Sequence, residues 1–178
     1  MRLSDHEINA HLRDKLQNVT GRHLYLILGT YEALDRYEKV ALPELRGPNN
    51  QKIPAPVNVY RTLLERVPDE ELKKLVQSES WTPTHIKQRL YDEFDRLLIE
   101  TLADQPVVAL KQLELLFAFD LELDKLRIRA VNQKHILLML PGEQVSERIM
   151  LFHEASLQWH RTLPATLVPE DHLCELTT

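Results

Sequence analysis

Cysteine is almost missing from this chain. Its one thiol, Cys174, stands near the C-terminus of 178 residues and can form no internal disulfide. A fold held without cross-links suits a reducing compartment. Glycine is nearly as scarce: Gly21, Gly29, Gly47 and Gly142 are the whole supply, and each is expected in a turn or at the end of an element. No stretch approaches the roughly 18 to 20 apolar residues of a membrane span. The opening MRLSDHEINAHLRDK carries charges where a signal peptide has an apolar core, so the expectation is a cytoplasmic protein. Positive charge is in deficit, with 22 Lys and Arg against 27 Asp and Glu for a net charge of −5. That balance argues against a protein that coats nucleic acid and leaves room only for a local basic patch. There is no internal repeat and no low-complexity tract.

Hydrophobic residues make up 43% and charged residues 28% of the sequence, as in ordinary globular domains. The length predicts one domain, with an N-terminal helix over 1–19, a core over 20–155 and a C-terminal extension over 156–178. Ser4 and Glu7 form a capping-box pattern, and Ile8, Leu12, Leu16 and Val19 follow at helical spacing. LYLIL (24–28) reads as a buried strand and 31–42 as a helix. Residues 44–57, ELRGPNNQKIPAPV, are a loop, then VNVY (57–60) a strand, RTLLERV a short helix and DEELKKLV another. Thr82 and Pro83 start the longest helix, with Ile86, Leu90, Phe94, Leu97, Leu98 and Leu102 as its apolar stripe. VVAL (107–110) and HILLML (135–140) read as strands, GEQVSERIMLFHEA as a helix, and ATLV (165–168) as a last strand. The stretch 119–132 fits either a helix or a strand. Short apolar strands separated by helices predict an α/β fold, with a mostly parallel sheet covered on both faces.

A strand closed by glycine and followed by a helix is the setting of a phosphate loop, G-x-x-x-x-G-K-[ST]. Its glycines let backbone N–H groups converge on phosphate, its lysine supplies charge and its hydroxyl holds magnesium. LYLILGT has the setting without the content. Counted from Gly29, the second glycine is Leu34, the lysine is Asp35 and the hydroxyl is Arg36. Gly29, Thr30 and Arg36 are the residues left as a degenerate nucleotide site. The acidic pair that would end a second strand is also missing, since VVAL runs into Lys111 and Gln112, with Glu114 further on. Two catalytic elements fail together. The expectation is therefore a non-enzyme without a cofactor, with ATP and magnesium disfavoured.

Several segments in order resemble the small P-loop-containing subunit of type III BREX bacteriophage-defence systems. They are LYLILG, VNVYRTLLERV, VVALKQLELLFAFDLELDKLRIRAVNQK and HILLMLPG, spanning about residues 20–155, with ELLF…LELDKLR the most particular. The resemblance implies a three-layer α/β P-loop-like domain acting with other defence proteins in restricting phage DNA. Leu34, Asp35, Arg36 and Lys111 depart from a working nucleotide site and imply an accessory or adaptor role through protein–protein contacts. An ATPase, active through non-standard residues or completed by a partner subunit, stands as the alternative.

Lys125, Arg127, Arg129 and Lys134 are the one local concentration of positive charge. They read as a solvated face balanced by Glu122 and Asp124, with contact to a nucleic-acid backbone as the functional alternative. Metal ligation is not expected: His6 and His11 are five apart, His153 and His160 straddle a helix end, and no Cys-x-x-Cys occurs. Ser78, Ser80, Ser146 and Ser156 lack a nucleophile-elbow setting, and Cys174 is expected in a mobile polar tail. Trp81, Trp159, Tyr31 and Tyr37 are candidate partner anchors or core residues.

Overall fold

A computed structural model describes residues 2–67, 83–119, 123–157 and 160–177. The elements run β1 (Arg2–Leu3), α1 (Asp5–Leu16), β2 (Leu24–Gly29), α2 (Tyr31–Val40), β3 (Val57–Asn58), α3 (Val59–Arg66) and α4 (Pro83–Asp104). Then follow β4 (Val107–Lys111), α5 (Glu114–Ala118), α6 (Asp124–Arg129), β5 (His135–Val145), β6 (Arg148–Leu151), β7 (Arg161–Pro164) and β8 (Leu173–Leu176).

The main sheet has the order β1-β8-β2-β5-β4-β3, and every pair along it is parallel. The pleat of β2 explains its continuous aliphatic run. Leu24, Leu26 and Leu28 face one cluster, with α3, the long α4 and residues of α5 and α6. Tyr25 and Ile27 face the other, with Ile8, Leu12 and Leu16 of α1 and Ala33, Leu34 and Tyr37 of α2. Both faces are dry, so the strand needs apolar residues at every position. The expected α/β architecture, a mostly parallel sheet flanked by helices, is therefore what the chain forms.

The helices start where the sequence places their caps. Ser4 and Glu7 make the reciprocal capping box of α1, with the Ser4 N–H donating to Glu7 Oε2 at 2.8 Å. Each such cap stabilises its helix by about 1 kcal/mol. Tyr37 is wholly buried and donates to Asn9 Oδ1 at 2.7 Å, while Asn9 Nδ2 donates to the carbonyl of Ala41 at 2.7 Å. Tyr37 thus locks α1 to α2 as a core residue. Among the described residues of 119–132 the helical alternative holds over Asp124–Arg129, as α6.

Several expectations are corrected. Residues 142–155 do not form a helix: β5 runs on to Val145, turns, and pairs antiparallel with β6, which pairs antiparallel with β7. Gly142 therefore lies inside a strand rather than at an element end. There a Cβ would collide with the carbonyl oxygen of Met150 and come within 2.8 Å of Leu151 Cδ2, so only glycine permits the approach of β6. ATLV is not a strand; 165–167 form a 3-10 turn between β7 and β8. Cys174 is not in a tail, because β8 inserts between β1 and β2 and leaves the thiol 1% exposed. Burial pushes that thiol up to about 11, which makes it inert. VNVY is a strand only over Val57–Asn58, after which Asn58 Oδ1 caps α3 by accepting from the Arg61 N–H at 2.9 Å. The helix expected over DEELKKLV, the Thr82 cap, Trp81 and Trp159 lie outside the described residues.

Candidate functional site

Open α/β sheets bind ligands beyond the carboxyl ends of their strands, where the strand order reverses. Here that point is β2. The chain leaves it for the far edge at β3, returns through β4 to β5, then crosses to β8 on its other side. The crevice beyond Gly29 is thus where a ligand of this fold belongs.

The junction there is very short. β2 ends at Gly29 and α2 begins at Tyr31, so Thr30 alone links them. Its Oγ1 accepts from the Ala33 N–H at 3.0 Å, and its carbonyl accepts from the Leu34 N–H at 3.0 Å. The Tyr31 N–H donates to Glu154 Oε2 at 3.4 Å, so a carboxylate of the same chain sits at the positive end of α2. Gly29 has a packing reason of its own. A Cβ there would stand 3.2 Å from two atoms of Leu176 and 3.4 Å from Ala33, where β8 and α2 close on the end of β2. Positions 34 to 36, matched against the phosphate-loop pattern, lie inside the helix expected over 31–42. Leu34 is buried, and Arg36 turns away to Asp5, donating to its two oxygens at 3.1 and 3.3 Å and to the carbonyl of Thr177 at 3.0 Å. Of the three residues expected in a degenerate nucleotide site, the structure keeps Gly29 and Thr30 side by side and holds Arg36 elsewhere.

A cavity of about 270 Å³ lies between α2 and the end of β4. Lys111 reaches into it and is held by Glu38 at 2.5 Å. Tyr31 Oη donates to Glu114 at 3.2 Å, and Asp35 pairs with Lys39 at 2.6 Å. Burial first, and the neighbouring Glu114 second, push the Tyr31 phenol up to about 12. Beyond β4 the chain passes through Gln112 in the left-handed region (φ 54°), where its side chain accepts from Asn58 Nδ2 at 2.6 Å. The crevice is therefore acidic, its one lysine already neutralised. Among the described residues no group of three or more His, Cys, Asp or Glu is placed to hold a metal ion.

Comparison with known proteins returns no match to a family model, to a curated protein or to a solved structure.

The basic cluster is mostly tied down within the fold. Arg129 grips Asp95 of α4 through Nε and Nη2 at 3.1 and 3.0 Å, and Lys125 stands 3.9 Å from the same carboxylate, over the ring of Tyr91. The Arg129 hydrogen bonds hold the Asp95 carboxyl below its usual range. Lys134 Nζ donates to the carbonyl of Leu102. Arg127 alone of the four has an exposed guanidinium without a partner among the described residues.

Sequence reasoning missed a group at the opposite, amino end of the central strands. His23, His135 and His172 gather around Tyr25, with the His23 and His135 ring centroids 4.2 Å apart and those of Tyr25 and His172 4.5 Å apart. Three isolated histidines, 112 and 37 residues apart, leave no spacing signal. The register of β2 against β5 brings His23 to His135, and the pairing of β2 with β8 brings His172 to Tyr25.

Proposed function

We propose that this chain is a non-catalytic P-loop-like domain that works as an accessory subunit through protein–protein contacts, in the cytoplasm. The setting its sequence resemblance implies, type III BREX phage defence, is the one we adopt. The single observation that carries the non-catalytic reading is the one-residue link at Thr30. A phosphate cradle needs a loop of several residues whose N–H groups converge on the ligand. Here the Tyr31, Ala33 and Leu34 N–H groups already donate to Glu154, the Thr30 hydroxyl and the Thr30 carbonyl. The Lys111–Glu38 pair supports the same reading, because it fills the end of β4 where an acidic pair would hold magnesium.

The test is isothermal titration of the purified chain with Mg-ATP, beside affinity purification from the native host with quantitative mass spectrometry. The expected results are no saturable heat at micromolar nucleotide and co-purification of defence-system proteins. Micromolar Mg-ATP binding that disappears in Arg36→Ala or Gly29→Val would overturn the non-catalytic reading. Recovery of the chain alone from the host would overturn the accessory role.

A further inference from the structure

We infer that a groove on the side of the fold away from the β2–α2 junction binds a small molecule with an apolar body and a single carboxylate or phosphate head. The groove has a volume of about 680 Å³, within the range of roughly 300 to 1,000 Å³ typical of small-molecule sites. It lies between the start of β2, the turn that joins β5 to β6, and the chain leading into β8. Its floor is apolar and belongs to the core: Leu24, Val168 and Leu173 are each 5% exposed or less.

Two arginines stand at the rim, and the fold puts them there. The isolated bridge between Arg22 and Val131 ties the segment before β2 to the chain just after α6. The His23 N–H donates to the Ala130 carbonyl at 2.8 Å, and the Asn132 N–H donates to the Gly21 carbonyl at 2.9 Å. Arg127, in the last turn of α6, and Arg22 consequently line the same groove. Both are exposed, and neither guanidinium has a hydrogen bond or ion pair with another described residue. This contrasts with Arg129 and Lys125, which the fold neutralises on Asp95.

A guanidinium offers a planar fork that fits carboxylate and phosphate oxygens, and two such forks beside an apolar floor fit a head and a body. Glu147 and Glu170 on the same rim return the local formal charge to zero. That excludes a polyanion such as nucleic acid, which needs a surplus of cations, and leaves room for one anionic group.

The experiment is isothermal titration of the full chain with 1-naphthoate, 1-naphthyl phosphate and the neutral isostere 1-naphthalenemethanol. Both anions are expected to bind, with the alcohol at least about tenfold weaker, the loss expected when a charge-assisted pair is removed. The anion that binds more tightly names the head group. Arg22→Ala/Arg127→Ala should weaken the anions by the same factor and leave the alcohol unchanged. Leu167→Trp, which fills the groove from its half-buried wall, should remove all three. Arg13→Ala, on the far side in α1, should change nothing. Circular dichroism melts confirm that each variant is folded. Equal binding of alcohol and anions, an undiminished affinity in the double-arginine variant, or no heat with any probe would each overturn the inference.

Discussion

Acid should loosen this protein in a window set by one histidine. His135 begins β5, is fully buried, and neither ring nitrogen has a hydrogen-bond partner. His23, just before β2, and Tyr25 of β2 face it, His172 lies across Tyr25, and Asp171 and Lys15 stand behind His172 as the nearest charges. Burial first, then the like charges of His23 and His172, pull the His135 pKa from 6.5 down to about 4. Below pH 6.5 the unfolded chain therefore binds a proton that the folded chain refuses. Stability is level above about pH 7, falls as pH drops through 6.5, and stops falling from this group near pH 4. At 1.36 kcal/mol per pKa unit the whole effect is about 3 kcal/mol, of which about 2 kcal/mol is lost between pH 7 and pH 5. His23 and His172 shift in the same direction, also mainly through burial, and add to the loss. Carboxylates such as Asp95 and Asp171, held low by Arg129 and Lys15, contribute at more acid pH. Comparing pH 7 with pH 5 thus isolates the histidines.

The assay is urea unfolding followed by circular dichroism at the two pH values. With a slope of about 2 kcal/mol per molar urea, the midpoint should fall by about 1 M. In His135→Phe the ring keeps its shape and loses its orphaned nitrogens, so stability at pH 7 should hold or rise. Its midpoint should fall by less than half as much at pH 5. A wild-type midpoint unmoved at pH 5, or an equal fall in His135→Phe, would refute the reasoning.

Two further perturbations probe the parts the sequence misjudged. Gly142→Ala should destabilise the fold by about 1–3 kcal/mol, the usual range for overpacking, with a lowered urea midpoint and an unchanged slope. Asp95→Ala frees Arg129 and Lys125. It should lower stability by about 1 kcal/mol, as expected of a partly exposed pair, and should shift duplex DNA in a low-salt gel more than wild type does.

What was legible in the sequence was whatever one strand or helix decides alone. LYLIL, VVAL and HILLML are strands because both their faces are covered, and the stripe from Leu90 to Leu102 is a helix because one face alone is covered. The segment 145–152 satisfies two periods at once. Val145, Ile149 and Phe152 are spaced as on a helix, yet Ile149 and Leu151 are buried while Arg148 and Met150 are exposed, as on a strand. Pairing with β5 and β7 decides between them, and no local residue records that pairing. β8 was hidden because LCEL carries a glutamate. Glu175 is buried with two donors from distant parts of the chain, Arg2 at 2.8 Å and the Gln144 N–H at 3.3 Å. The basic cluster was read as charge-balanced by Glu122 and Asp124; the structure supplies Asp95, thirty residues upstream on α4, as a partner.

The phosphate-loop question also turns on geometry more than on residue types. Leu34, Asp35 and Arg36 look like three substitutions in a loop, which suggests that restoring glycine, lysine and serine would restore a site. The helix says otherwise. Position 34 packs in the interface between α2 and the sheet, and position 36 belongs to a contact with Asp5. A lysine at 35 would stand one turn into α2 beside Lys39. The backbone donors a phosphate would use at 31, 33 and 34 already have acceptors. The difference in geometry between this junction and a phosphate loop is therefore chain length: Thr30 is one residue where a cradle has several. Gly29 remains because Leu176 and Ala33 press on it from two sides, a reason that holds with no ligand at all.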